Sequence, residues 1–443
     1  MRPRAVFGLV WFGQLVSALG SGLTSFAVGV EVYRGTGSIT QFSLIAFFYF
    51  LPPMLCSPFA GVLVDRWDRR RVMILASFGA LLCPLWILVL LVSGGGDGSV
   101  AAHAPWQFYA PIALGSAFEA FRWPAWYAAA TVLVSRRNLG RASGMIELGN
   151  GAALVISPIV AAGLLPRLGL PALVALDLAT FLFAALTLAA VRFPAPPPTE
   201  AGRAARGSFG HEVAYGWRYI RERPGLLRLL VIVFAINFLL GMVMVLITPL
   251  TLSFADLRVL GEIQSAAGLG MVAGGITMSV WGGPRRKVDG VLVFTFLSGA
   301  VLLAAGLPPT AWLVGAAASC FMFSVPIIIG CLQAIWQGKV PPDVQGRVFA
   351  VRRMIGLASL PLAMLVAGPL AEKIFEPWLA PGGLLADTVG RWIGAGPSRG
   401  IGFLLIVLGA LTLLGVVTAT RSKALVHVEA ILPDPMPHAG GRA

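Results

Sequence analysis

Stretches of about twenty mainly apolar residues recur from one end of the chain to the other, and each is long enough to cross a bilayer as a helix. The runs fall at 6–33, 38–64, 72–92, 106–133, 142–166, 169–191, 226–251, 259–281, 290–307, 310–338, 348–373 and 399–420. Buried soluble helices do not repeat at this length and frequency. Only 12% of the residues are charged and the mean hydropathy is +0.84, so a water-soluble fold could not hide the remaining surface. The pattern predicts an all-α membrane protein with about twelve transmembrane helices.

Basic residues orient such a chain, because loops rich in Lys and Arg stay in the cytoplasm. With the N-terminus inside, 26 of the 33 Lys and Arg fall on inner segments and six on outer ones. The last, Arg122, lies within the fourth run. Both termini are therefore expected in the cytoplasm, in a multi-pass protein of the cell (inner) membrane. A net charge of +14 would suggest nucleic acid in a soluble chain, but here the inner loops account for it, and no nucleic-acid partner is expected. Cys56, Cys83, Cys320 and Cys331 lie in apolar runs without CxxC spacing. His103, His211, His427 and His438 are scattered. Neither set predicts a metal site or a cofactor. The first run is too long for the apolar core of a secretion signal and reads as a retained helix.

One segment interrupts the rhythm. Residues 193–225 carry Pro194, Pro196, Pro197 and Pro198, then an amphipathic stretch, His211–Arg223. Prolines in series hold an extended spacer. The amphipathic stretch reads either as a helix on the membrane surface or as a solvated linker. The segment divides the chain into a six-helix bundle at 1–192 and another at 226–420, with a tail at 421–443. The halves echo one another: Gly140-Arg141 opens the fifth run and Gly346-Arg347 the eleventh, and basic turns follow the second and the eighth. Repeated six-helix halves are a transporter architecture with the substrate path between them.

The loop between the second and third runs is Gly61-Val62-Leu63-Val64-Asp65-Arg66-Trp67-Asp68-Arg69-Arg70. It resembles the loop signature of the major facilitator superfamily. Asp68 replaces the usual glycine, as in the branch of enterobactin-exporter-like and macrolide-efflux-like proteins. Leu51-Pro52-Pro53, Gly140-Arg141-Ala142-Ser143-Gly144, Ser157-Pro158 and Val340-Pro341-Pro342 are similar to that branch too. The resemblance implies two pseudo-symmetric bundles that rock between inward- and outward-open states. It also implies that Gly61, Asp65, Arg66, Arg69 and Arg70 form an inner-side conformational latch. Relatives often carry Asp after the Leu-Gly of the first span, where this chain has Ser21; any coupling role of that Asp must lie elsewhere here.

Ionisable groups at membrane depth are costly and mark functional candidates. Glu119 and Arg122 lie three residues apart on one helix face. They form either a structural ion pair or a coupling site in which Glu119 carries a proton and Arg122 meets an anionic group. Glu31 and Asp177 are further coupling candidates. Asn237, Gln333, Trp126 and Trp336 are candidate cavity residues, since an amphipathic compound needs aromatic walls and a few hydrogen-bonding groups. No phosphate-binding Gly-x-x-x-x-Gly-Lys sequence and no hydrolase motif occurs, so neither an ATP-driven pump nor an enzyme is predicted. The expectation is a monomeric secondary transporter that exports an amphipathic small molecule in exchange for protons, with membrane lipids around it. A lipid or lysolipid flippase is the alternative, and a non-transporting sensor or assembly partner a more distant one.

Overall fold

A computed structural model describes residues 3–66, 69–93, 100, 103–134, 139–191, 209–340 and 342–422, with the backbone path alone at several helix ends, including 57–66, 127–133, 139–144 and 342–347. The described chain is almost wholly helical. In order come α1 (Pro3–Thr36), α2 (Ile39–Arg66), α3 (Arg69–Ser93), α4 (Trp106–Leu133), α5 (Leu139–Ala189), α6 (Phe209–Arg221), α7 (Pro224–Leu252), α8 (Leu257–Trp281), α9 (Lys287–Ala305), α10 (Ala311–Lys339) and α11 (Pro342–Leu370). A π turn (Ala371–Phe375), α12 (Glu376–Leu379), α13 (Gly390–Ile393) and α14 (Arg399–Arg421) complete it. Among the described residues ten stretches are long and apolar enough to span a membrane.

Local chemistry sets the helix ends. The Asp256 carboxylate accepts from the Val259 amide at 3.0 Å to start α8, and the Thr310 hydroxyl accepts from Leu313 at 3.2 Å to start α10. Gly282, at φ +72°, ends α8 in the left-handed conformation open to glycine. The fifth and sixth apolar runs form the single 51-residue α5, which breaks direction at Gly169 (φ +74°, ψ 169°). Its two arms are the two expected spans.

Side-chain contacts fix the helix directions. On α1, Leu19 meets the Ser157 hydroxyl of the first α5 arm, while Gly13 and Gly20 lie against Thr187 and Thr180 of the second. The first arm therefore runs parallel to α1 and the second antiparallel to it. We call the end where α1 begins the N-terminal face and the other the opposite face.

The packing repeats after six helices, counting the α5 arms separately. Helix α1 packs on α5 as α7 packs on α11; α2 packs on α4 as α8 packs on α10; α3 packs on α4 as α9 packs on α10; and α3 packs on α5 as α9 packs on α14. The two most extensive contacts between the halves are also equivalent: α2 with α11, and α8 with α5. Close approach of backbones carries much of this, as membrane helices require. Gly270 and Gly274 lie against the backbone of Ser319 and Phe323 on α10, while Gly261 and Gly268 of the same helix lie against Pro158 and Leu154 on α5.

Helix α6, the amphipathic part of the linker, does not stand alone. It packs on α11 and α7, with Ile220 fully buried in the core that contains Leu226, Leu229 and Trp336. Ile220 is therefore covered by protein, while Trp217 remains exposed. Arg223 stacks on the Tyr219 ring at 3.6 Å from its centroid.

Candidate functional site

A small, partly open pocket lies within the first half. Helix α1 contributes Trp11, Gln14, Leu15 and Ala18, which share one helix face by their three- and four-residue spacing. Helix α4 contributes Arg122 and Trp126, and α5 contributes Ile146 and Gly149. The aromatic walls are held from behind: the Trp11 indole N–H donates to the Met145 carbonyl at 2.7 Å, and Trp126 stacks on Phe7 at 5.6 Å.

The polar centre of the pocket is Arg122. Its Nε donates to Glu119 Oε2 at 2.8 Å, and Nη2 lies 2.7 Å from the same oxygen. Its Nη1 donates to Gln14 Oε1. The expected i,i+3 pair is thus formed, with both side chains at most about one-fifth exposed. Two atoms of this cluster are buried without a hydrogen-bond partner: Glu119 Oε1, an acceptor, and Gln14 Nε2, a donor. An unmet buried group costs about 1–3 kcal/mol, which a ligand with matching groups would recover. The cluster offers an unmet donor and an unmet acceptor to a polar function on an otherwise apolar molecule.

Asp177 sits apart from this pocket, on the second arm of α5, and only 3% of it is exposed. Ser21 Oγ donates to its Oδ1 at 3.3 Å. Gly20 lets α1 approach so closely that a methyl group there would lie about 3.0 Å from that oxygen. Among the described residues no basic side chain forms an ion pair with Asp177.

The other candidates lie elsewhere. Glu31 pairs with Arg34 at 3.7 Å near the end of α1 on the opposite face. Asn237, on α7, spends its amide on the Val233 carbonyl one turn back at 2.9 Å. Trp336, on α10, is fully buried in the second half's core instead of lining an open wall, while Gln333 accepts at 2.7 Å from Arg352 Nη1. The side chains of Gly61, Asp65, Arg66, Arg69 and Arg70 lie outside the described residues; there the backbone shows only that α2 ends at Arg66 and α3 begins at Arg69. Sequence reasoning passed over Trp11, Leu15, Ala18, Ile146 and Gly149. The α1 stripe was available as a signal, but every span of this chain has apolar stripes. Arg352 was counted among the basic residues that orient the chain.

The sequence profile of the Major Facilitator Superfamily matches residues 10–364. The chain belongs to that superfamily. It is 27% identical over 383 residues to macrolide efflux protein A of Streptococcus pyogenes, an alignment covering 83% of this chain and 90% of the relative. It is also 27% identical over 389 residues to multidrug efflux pump Tap of Mycobacterium tuberculosis, covering 82% and 86%. The fold matches a D-xylose-proton symporter with a TM-score of 0.68 at 11% identity, over 98% of this chain and 99% of the other. It matches a bacterial homologue of the lysosomal transporter Spinster, in an inward-facing and unoccupied conformation, with a TM-score of 0.66 at 15% identity over 96% of each chain. This superfamily member is a multi-pass membrane transporter, not an enzyme.

Proposed function

We propose that the protein exports an amphipathic small molecule by alternating access, in exchange for protons. The observation that carries the reading is the Trp11–Gln14–Glu119–Arg122–Trp126 pocket. It joins aromatic walls to one polar cluster with an unmet donor and an unmet acceptor, which is what a greasy molecule with a few polar groups requires. Relatives named as efflux proteins support the direction. The charge distribution supports a cytoplasmic N-terminal face, both termini included, in the inner membrane. The pocket lies between Trp11, nine residues into α1, and Ala18, so it would be reached from that face.

Asp177 is the proposed proton carrier and Glu119 the proposed link to substrate. Asp177 is buried, lacks a basic partner among the described residues, and stands against Ser21, the position where relatives often have their own Asp. The carboxyl group has then moved across the helix interface, from α1 to α5, without leaving the site. An ionisable group at membrane depth without a basic partner is the kind of residue that carries a coupling ion. Gly61, Asp65, Arg66, Arg69 and Arg70 remain the proposed latch on the cytoplasmic face, and residues 1–192 and 226–420 the proposed rocking halves.

The test is purified protein in proteoliposomes with an imposed pH gradient and a fluorescent lipophilic drug. The expected result is gradient-driven drug movement that Asp177→Asn abolishes while drug binding persists. Transport that ignores the gradient would remove proton coupling; full coupling in Asp177→Asn would remove the residue assignment.

A further inference from the structure

In each half an arginine donates to a glutamine of a neighbouring helix. Arg122, in the first half, is neutralised by Glu119. Arg352, in the second, is not neutralised. It stands ten residues into α11, about 15 Å from the helix's N-terminal end at 1.5 Å per residue. Its Nη1 donates to Gln333 Oε1 at 2.7 Å, and its guanidinium carbon lies 5.3 Å from the centroid of the Trp336 ring. Among the described residues no carboxylate pairs with it.

The arrangement fixes the cation without satisfying it. Gln333 takes one of five N–H donors, and Trp336 supports the guanidinium through cation–π attraction. Trp336 is itself fully buried, so close packing holds the platform under the guanidinium in place. One turn on, Gly356 lets α7 approach closely: a side chain there would begin 3.3 Å from Val233 and 3.7 Å from the Asn237 amide. The partly stacked rings of Phe234 and Phe238 flank Asn237 on α7. An arginine that serves only to orient a helix needs neither a buried aromatic seat nor a half-buried amide partner on a neighbouring helix. A planar, preorganised guanidinium with free donors matches a carboxylate, sulfonate or phosphate.

We propose that Arg352, positioned by Gln333 and seated on Trp336, is an anion-binding subsite. The group it takes is the acidic function of an amphipathic molecule, whether a transported substrate or a lipid headgroup. The proposal rests on the export reading and narrows its substrate class: the neutral Glu119–Arg122 pocket receives the polar or apolar body, and Arg352 selects molecules that carry a negative charge.

Two fluorescent probes with one ring frame separate these contributions: neutral N-phenyl-1-naphthylamine and its sulfonated counterpart, 8-anilinonaphthalene-1-sulfonate. Binding is measured on the full chain in phosphatidylcholine nanodiscs, with and without phosphatidylglycerol. The wild type is expected to favour the sulfonate by about tenfold, the worth of one charge-assisted hydrogen bond. Arg352→Gln should erase that preference while leaving the neutral probe unchanged, which also shows that the variant is folded. Arg352→Lys should retain part of it. Competition by phosphatidylglycerol would assign the subsite to a lipid headgroup; indifference to it would assign the subsite to substrate. Equal affinity for both probes in the wild type, or an undiminished sulfonate preference in Arg352→Gln, would overturn the proposal. Failure of the export reading would look different, because neither probe would then move in proteoliposomes of the wild type under any imposed gradient.

Discussion

Removing one member of the Glu119–Arg122 pair leaves the other charged and poorly solvated, which costs more than the pair itself contributes. Glu119→Gln and Arg122→Gln should each lower the melting temperature of the detergent-solubilised protein. The double variant should fall by less than the sum, with a coupling of about 1 kcal/mol or more for groups in direct contact. Strict additivity would mean that the contact is not formed in solution. The pair was legible in the sequence because three-residue spacing on a helix is a local fact. Gln14 as its third member was not, since 108 residues separate it from Arg122 and only the packing of α1 on α4 and α5 brings them together. The same limit explains Ser21 and Asp177, which meet across 156 residues. Arg352 was read only as a topological signal for another reason. Charge counting treats a basic residue near a span's end as a topological signal, and only Gln333 and Trp336, supplied by a different helix, give it a second meaning.

Helix α8 is the element most constrained by its neighbours, because it is the only described helix shown here with glycine contacts to both α10 and α5. At Gly274 a methyl group would meet the backbone of Phe323, which cannot rotate away, whereas at Gly275, one residue on, nothing lies within 4 Å. Gly274→Ala should therefore destabilise the protein by about 1–3 kcal/mol through overpacking. Gly275→Ala should be neutral or stabilise by about 0.5–1 kcal/mol, as alanine is the better helix former. Thermal unfolding followed by a thiol-reactive dye would compare them, and equal effects would contradict the α8–α10 contact. The sequence showed that the eighth span is glycine-rich but could not rank its glycines. A helix of mixed small residues has several faces that could approach a neighbour, and the tertiary arrangement selects which are used. The spans themselves were readable because bilayer thickness imposes their length directly. The break at Gly169 was readable as a boundary between two runs, while its continuity as one bent helix depends on a single backbone conformation.

For the whole molecule, the repeat of equivalent contacts after six helices was foreshadowed by the Gly-Arg echoes and the paired basic turns, yet the contacts that hold one half to the other were not. The clearest of them lies at the opposite face. Ser38 starts α2 by accepting from the Gln41 amide at 3.2 Å, and its own hydroxyl donates to Glu372 Oε2 at 2.8 Å. The Thr40 amide donates to the same oxygen at 2.8 Å. Glu372 belongs to the π turn after α11, so a carboxylate of the second half completes the N-terminal cap of a helix in the first. Gly368, one turn earlier, lies against the α2 backbone at Thr40 and Ile39. Four residues on, Glu376 accepts from the amides of Ser398 and Ile401 at 3.0 Å each, and so ties the π turn to α14 within its own half. A rocking motion that opens this face must break the Glu372 bonds and leave those of Glu376 intact. A helix cap is worth about 1 kcal/mol, so Glu372→Ala should raise the population open at this face about fivefold. Glu372→Gln, which keeps an acceptor oxygen, should do so by less. Glu376→Ala should lower stability without moving the balance between states. Spin labels at the exposed positions of Arg34 and Trp392 would report the change as a growing long-distance fraction, and an unchanged distribution in Glu372→Ala would show that this cap does not restrain the halves.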